Sequence, residues 1–116
     1  MQSASHAGLA AGRWRTFTLL EQLAHVGSEV ERAIQADEQQ RVERRDRAID
    51  RALELFDLTV ADERWRGPRL REILRAREEF CRLFFADGAA TGSAQSLRRY
   101  FLQFALAARC AAIRRS

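Results

Sequence analysis

The sequence predicts an all-α protein built as an antiparallel up-down four-helix bundle. Apolar residues recur at helical spacing in four segments of similar length. The only proline, Pro68, stands where a helix can begin, and runs of β-branched residues are few. The connections between segments are short, which favours antiparallel neighbours. With 116 residues, 47% apolar and 31% charged, the chain has the size and composition of one folded domain with its own core. Residues 1–13 read as a flexible tail rich in Ala, Gly and Ser, and 14–116 as the bundle.

Thr18 followed by Glu21 has the pattern of a capping box, and Leu19, Leu23, Val26, Val30 and Ala33 form the stripe behind it. A first helix is expected over about 18–36. The stretch "QADEQQRVERR" must then turn without Gly or Pro. A second helix is expected over about 41–62, with Val42, Ile49, Leu53, Phe56 and Val60 on one face. It breaks at "DERWRGPR". Pro68 suits the first turn of the third helix, where its missing N–H costs nothing, and Leu70, Ile73, Leu74, Phe80, Cys81 and Phe84 supply the stripe. "ADGAATGSAQS" reads as a loop, with Ser93 as N-cap of the fourth helix.

That fourth helix is apolar on two sides. Leu97, Tyr100, Phe101, Phe104, Ala108 and Ala111 form a core stripe, while Leu102, Leu106, Cys110 and Ile113 lie about 160° away. A monomer this small cannot bury both, so the second stripe predicts an interface with another subunit or protein. Leu55 and Leu58, off the main stripe of the second helix, are expected to extend it. Cys81 and Cys110 fall on apolar stripes and read as small buried hydrophobes in a reducing compartment, not as a disulfide framework.

Chemistry-bearing patterns are missing. The two histidines, His6 and His25, make no zinc spacing with the two cysteines. Neither has the Arg five positions earlier that small helical RNases use, nor the Glu-x-x-His of di-iron bundles. There is no Gly-rich phosphate loop and no Ser-centred elbow. The expectation is a protein that is not an enzyme, with no catalytic residue, metal or cofactor. No apolar run approaches the roughly 20 residues of a spanning helix, and the opening residues lack a secretory pattern. A cytoplasmic protein without a membrane partner follows.

Charge is unevenly distributed. Residues 1–63 hold 8 arginines against 12 acidic residues, net −4; residues 64–116 hold 12 against 4, net +8. Every basic residue is Arg, whose planar fork suits phosphate and carboxylate. A basic half points to an anionic partner, most often nucleic acid. The candidate phosphate-binding residues are Arg71, Arg75 and Arg82 on one side of the third helix, Arg98, Arg99, Arg114 and Arg115 on the fourth, and Arg64 and Arg66 around Trp65. On the second helix Arg44, Arg47 and Arg51 also share a side. Glu43, Asp46, Asp50 and Glu54 are interspersed there, so a merely solvated face is an equal reading.

Two "RWR" triplets, around Trp14 and Trp65, admit two readings: base stacking between phosphate contacts, or aromatic plugs at the end of a bundle. Arg77 falls amid the apolar residues of the third helix. It predicts a buried structural ion pair with Glu29 or Asp57.

The segments "FTLLEQLAHVGSEVERAI", "RALELFDLTVADERWRGPRLREILRAREEFCRLFF" and "SLRRYFLQFALAAR" resemble the accessory variability determinant (Avd) family of diversity-generating retroelements. That family is related to the four-helix-bundle proteins encoded in 23S rRNA intervening sequences. The resemblance spans about residues 14–110 and is one of size, helix pattern and charge, with no catalytic motif to carry over. It implies a basic pentameric barrel that binds a reverse transcriptase and its RNA template and supports mutagenic cDNA synthesis without catalysing it; DNA is a further expected ligand of the basic half. The acidic N-terminal half departs from a uniformly basic surface. The alternative expectation is a helical protein–protein adaptor or antitoxin-like module that binds no nucleic acid.

Overall fold

A computed structural model of the chain describes residues 12–85 and 93–115, apart from the side chains of Ser93 and Arg115. The tail expected over 1–13 lies almost wholly outside the described residues, as does most of the "ADGAATGSAQS" loop. Four long helices account for most of the described residues: α1 (Leu19–Glu38), α2 (Val42–Val60), α3 (Gly67–Phe85) and α4 (Ser93–Arg115). There is no strand among the described residues.

Local chemistry explains the helix ends. The Thr18 hydroxyl accepts from the Glu21 amide at 3.1 Å while Glu21 Oε1 accepts from the Thr18 amide at 2.8 Å, the reciprocal box that starts α1. α1 stops in a Schellman turn: Arg41 N–H donates to the Ala36 carbonyl and Gln40 N–H to that of Asp37. Gln40 takes the left-handed position, at φ 59°, where glycine is usual. Gly67, at φ 61°, makes the bend into α3, and Pro68 follows in the first turn as expected.

Each helix packs on two others: α1 on α2 and α4, and α3 on α2 and α4. Side-chain pairs give the directions. Asp37 meets Arg45 and Glu29 meets Arg51, so α1 and α2 run antiparallel. Arg98 meets Glu31 and Glu38, near the end of α1, while Ala108 and Ala111 lie across a groove from Leu20 near its start; α1 and α4 are also antiparallel. Glu72 faces Tyr100 and Arg69 lies over the Phe104 ring, which sets α3 against α4 in the same sense. Between them lies a core in which Phe56 touches both Phe80 and Phe101. Gly27 lets α4 come close: a Cβ there would stand 2.8 Å from the Phe101 Cβ.

Most of the expected stripes are buried, with instructive exceptions. Val42 is 53% exposed because it is the first residue of α2, at the edge of the packed region, and Leu74 is 43% exposed because α3 buries only Ile73, Ala76 and Phe80 fully. Leu55 and Leu58 do not extend an outer apolar surface; they pack, partly buried, against the core, since α2 buries a face broader than one stripe against α1. Cys81 is half-buried and Cys110 is exposed, so neither is the fully buried hydrophobe expected.

The end of the molecule at the start of α1 is closed by a polar network. Gln22, fully buried, donates to the Trp14 carbonyl at 3.1 Å and to Asp62 at 2.9 Å, and accepts from the Trp65 indole at 2.9 Å. The Trp14 indole donates to the Thr59 hydroxyl, which donates on to the Leu55 carbonyl. Both tryptophans are buried, so the two "RWR" triplets are end plugs held by one glutamine. No base could stack on either indole in this arrangement.

Candidate functional site

The arginines predicted to contact phosphate divide into two groups. Arg64 and Arg98 are occupied within the fold. Arg64 grips Asp62 with contacts of 2.7 to 3.2 Å and reaches the Phe17 carbonyl at 2.9 Å, tying the segment before α1 to the α2–α3 turn. Its guanidinium holds the Asp62 carboxyl well below the usual carboxylate range, helped by the Arg64 amide and Gln22 against the effect of burial. Arg98 spans Glu31 and Glu38 with five hydrogen bonds of 2.9 to 3.2 Å, and both pairings raise its own affinity for its proton. It is a staple between α4 and α1.

The rest of that set faces solvent. Arg71, Arg75, Arg99 and Arg114 are exposed without an ion-pair partner among the described residues, Arg82 pairs with Glu78 at 2.8 Å, and Arg66 reaches only the Glu63 carbonyl. Of Arg115 only the backbone is described. On the outer face of α3, Arg71, Arg75 and Arg82 share one side as expected, with exposed Leu74 and Phe85 beside them.

Arg77 corrects its prediction. It pairs with Asp57 at 3.0 Å and not with Glu29, but its side chain is 36% exposed and that of Asp57 64% exposed. The pair is a surface bridge between α2 and α3, because the arginine stem lies along the apolar seam while its head leans out toward Cys81 and solvent.

The groove between α1 and α2 was only half legible. It is an open cleft of about 470 Å³, with Arg32 and Glu29 on the α1 side and Arg44, Arg47 and Arg51 on the α2 side. Glu29 is buried and binds Arg32 at 2.7 Å and Arg51 at 3.8 Å. Arg44 and Arg47 have no carboxylate partner among the described residues. The acidic residues interspersed in the sequence do not pair with them: Asp46 is engaged by Arg45, and Glu43, Asp50 and Glu54 form no salt bridge with Arg44 or Arg47. The signal was the 44, 47, 51 spacing itself.

The second stripe of α4 faces outward. Leu102 is 56% exposed, Leu106 52% and Ile113 66%, with Cys110 exposed beside them. α4 is the longest helix, and its C-terminal half passes the start of α3, leaving α1 as its neighbour through Ala108 and Ala111.

Among the described residues no group of three or more His, Cys, Asp or Glu is set to hold a metal ion, and no helix is long and apolar enough to cross a membrane. No protein-family model, curated protein or solved structure matches the chain.

Proposed function

We propose that this chain is a non-enzymatic nucleic-acid-binding accessory protein, an antiparallel up-down four-helix bundle that works as a cytoplasmic homo-oligomer. On this reading its partner is the reverse transcriptase of a diversity-generating retroelement, and it supports mutagenic cDNA synthesis from template RNA. The partner and a pentameric assembly come from the resemblance to the Avd family. The observation that carries nucleic-acid binding is the set of arginines that internal pairing leaves exposed, on the α1–α2 edge and on the outer face of α3. Leu102 and Leu106, exposed on α4, support assembly through that face. They also favour the second reading, a protein–protein adaptor whose arginines only keep it soluble.

Salt dependence separates the two. Phosphate contacts release counterions, so affinity for structured RNA should fall steeply as salt rises, with a log–log slope of about −0.9 for each phosphate neutralised in a duplex. Titrating the purified chain with a hairpin RNA at several NaCl concentrations reads that slope. Light scattering on the same sample should give a particle larger than one chain. No binding at low salt, or binding indifferent to salt, overturns the nucleic-acid reading in favour of the adaptor.

A further inference from the structure

We infer that the α1–α2 groove is a phosphate-backbone site with a built-in competitor: Glu29 occupies Arg32 and Arg51 until an incoming phosphodiester displaces it. The inference rests on the nucleic-acid reading above and assigns that reading a place, in the half of the sequence with net negative charge.

Four guanidinium groups converge on this cleft against one carboxylate. Two of them, Arg44 and Arg47, have no anionic partner among the described residues. The other two are held only at one atom each, both on Glu29 Oε1, while their side chains remain 64% and 66% exposed. A guanidinium carries five N–H donors, so most of the hydrogen-bonding capacity of Arg32 and Arg51 is still open. Gln35 and Gln39 add amide donors along the α1 wall.

Geometry and composition narrow the ligand. Arg44 and Arg51 are seven residues apart on α2, about 10 Å along the axis at 1.5 Å per residue. That row is too long for one small anion and suits successive phosphates on a strand. No aromatic side chain lines the cleft, and both tryptophans are sealed in the core. Stacking on unpaired bases, the usual grip on single strands, is therefore absent here. The site reads backbone charge without base identity, which fits a duplex.

Glu29 sets the affinity. It is 7% exposed at the cleft floor, where its charge offsets part of the arginine cluster in the empty protein. A phosphate entering the cleft must compete with it for two of the four cations. Removing the carboxylate charge while keeping its shape should therefore strengthen binding, the opposite of what loss of a supporting residue does.

The test uses the full chain, a short RNA duplex of mixed sequence, poly-U of equal length and a polyglutamate peptide. Arg44→Gln with Arg47→Gln should weaken duplex binding about ten-fold and flatten the salt slope by about 2, with unchanged circular dichroism. Glu29→Gln should tighten it several-fold and steepen the slope by about 1. Unchanged affinity in the double variant overturns the site, and so does weaker binding by folded Glu29→Gln. Binding lost only in Arg71→Gln, Arg75→Gln, Arg82→Gln overturns the groove but leaves the nucleic-acid reading standing. If the wild type binds neither RNA, that reading falls with it. Polyglutamate binding as tightly as the duplex would reassign the cleft to an acidic protein.

Discussion

The two ends of the molecule are fastened by different physics. Where α1 starts, Gln22, Thr59, Asp62 and the two indoles form a network whose members are buried and mutually hydrogen-bonded. Where α1 finishes, the fastening is ionic and wet: Arg45 to Asp37, and Arg98 to Glu31 and Glu38, with carboxylates 39 to 54% exposed. The first kind of closure is costly to break because a lost partner strands a buried group. The second is weaker per contact and screened by salt. Gradual fraying on heating should begin at the ionic end.

Breaking the buried end should have the largest effect. Gln22→Ala strands the Trp65 indole N–H, removes a donor from Asp62 and leaves a cavity, so it should cost about 3 kcal/mol. Thermal unfolding at low and high salt should give the same loss in both. A loss under about 1 kcal/mol would mean that water replaces the amide and the two ends are alike. Acid should act on the same end. The Asp62 carboxyl is lowered from an ordinary 3.8, so its contribution is complete above that pH and fades as pH falls through the folded value.

The ionic end should respond less, and differently. Arg98→Ala removes the pairing to both Glu31 and Glu38, and should lower the melting temperature by less than Gln22→Ala does, the deficit narrowing in high salt. Arg77→Ala is the reference for an isolated exposed pair and should cost under about 1 kcal/mol. Equal losses for the two arginines would remove the case for Arg98 as a staple.

The smallest expected change is a gain. Gln40 holds a left-handed position that glycine adopts freely, so Gln40→Gly should stabilise the chain by about 0.5 kcal/mol, read by denaturant midpoint. A loss would show that the glutamine side chain supports the turn by contacts of its own.

The sequence announced helices through residues whose chemistry is local. Thr18 with Glu21 and Pro68 mark starts wherever they occur, and both starts lie within a residue of their expected places. The turn after α1 was expected, two residues early, and its place was soft because its left-handed residue is a glutamine, which marks no position. Gln22 was missed because a polar side chain three residues from Leu19 and four from Val26 looks like a gap in a stripe; only the meeting of Trp14, Asp62 and Trp65 makes it a hub. Counting charge by halves overstated the free charge of the second half, since Arg98 and Arg77 pair with carboxylates of the first. Which flank of α2 faces α1 decides whether Arg44 and Arg47 are neutralised, and no spacing rule contains that.

The chain's two tryptophans sit in the same knot around Gln22. Intrinsic fluorescence is therefore a spatially selective probe of this molecule. Emission and quencher access report whether the N-terminal plug is seated, and nothing about the far end, whose ionic fastenings are optically silent. Circular dichroism, by contrast, averages the helices of the whole chain. A red shift that precedes loss of ellipticity would be the plug leaving an otherwise helical protein. Ellipticity falling first would be the wet end opening while the indoles stay dark to solvent.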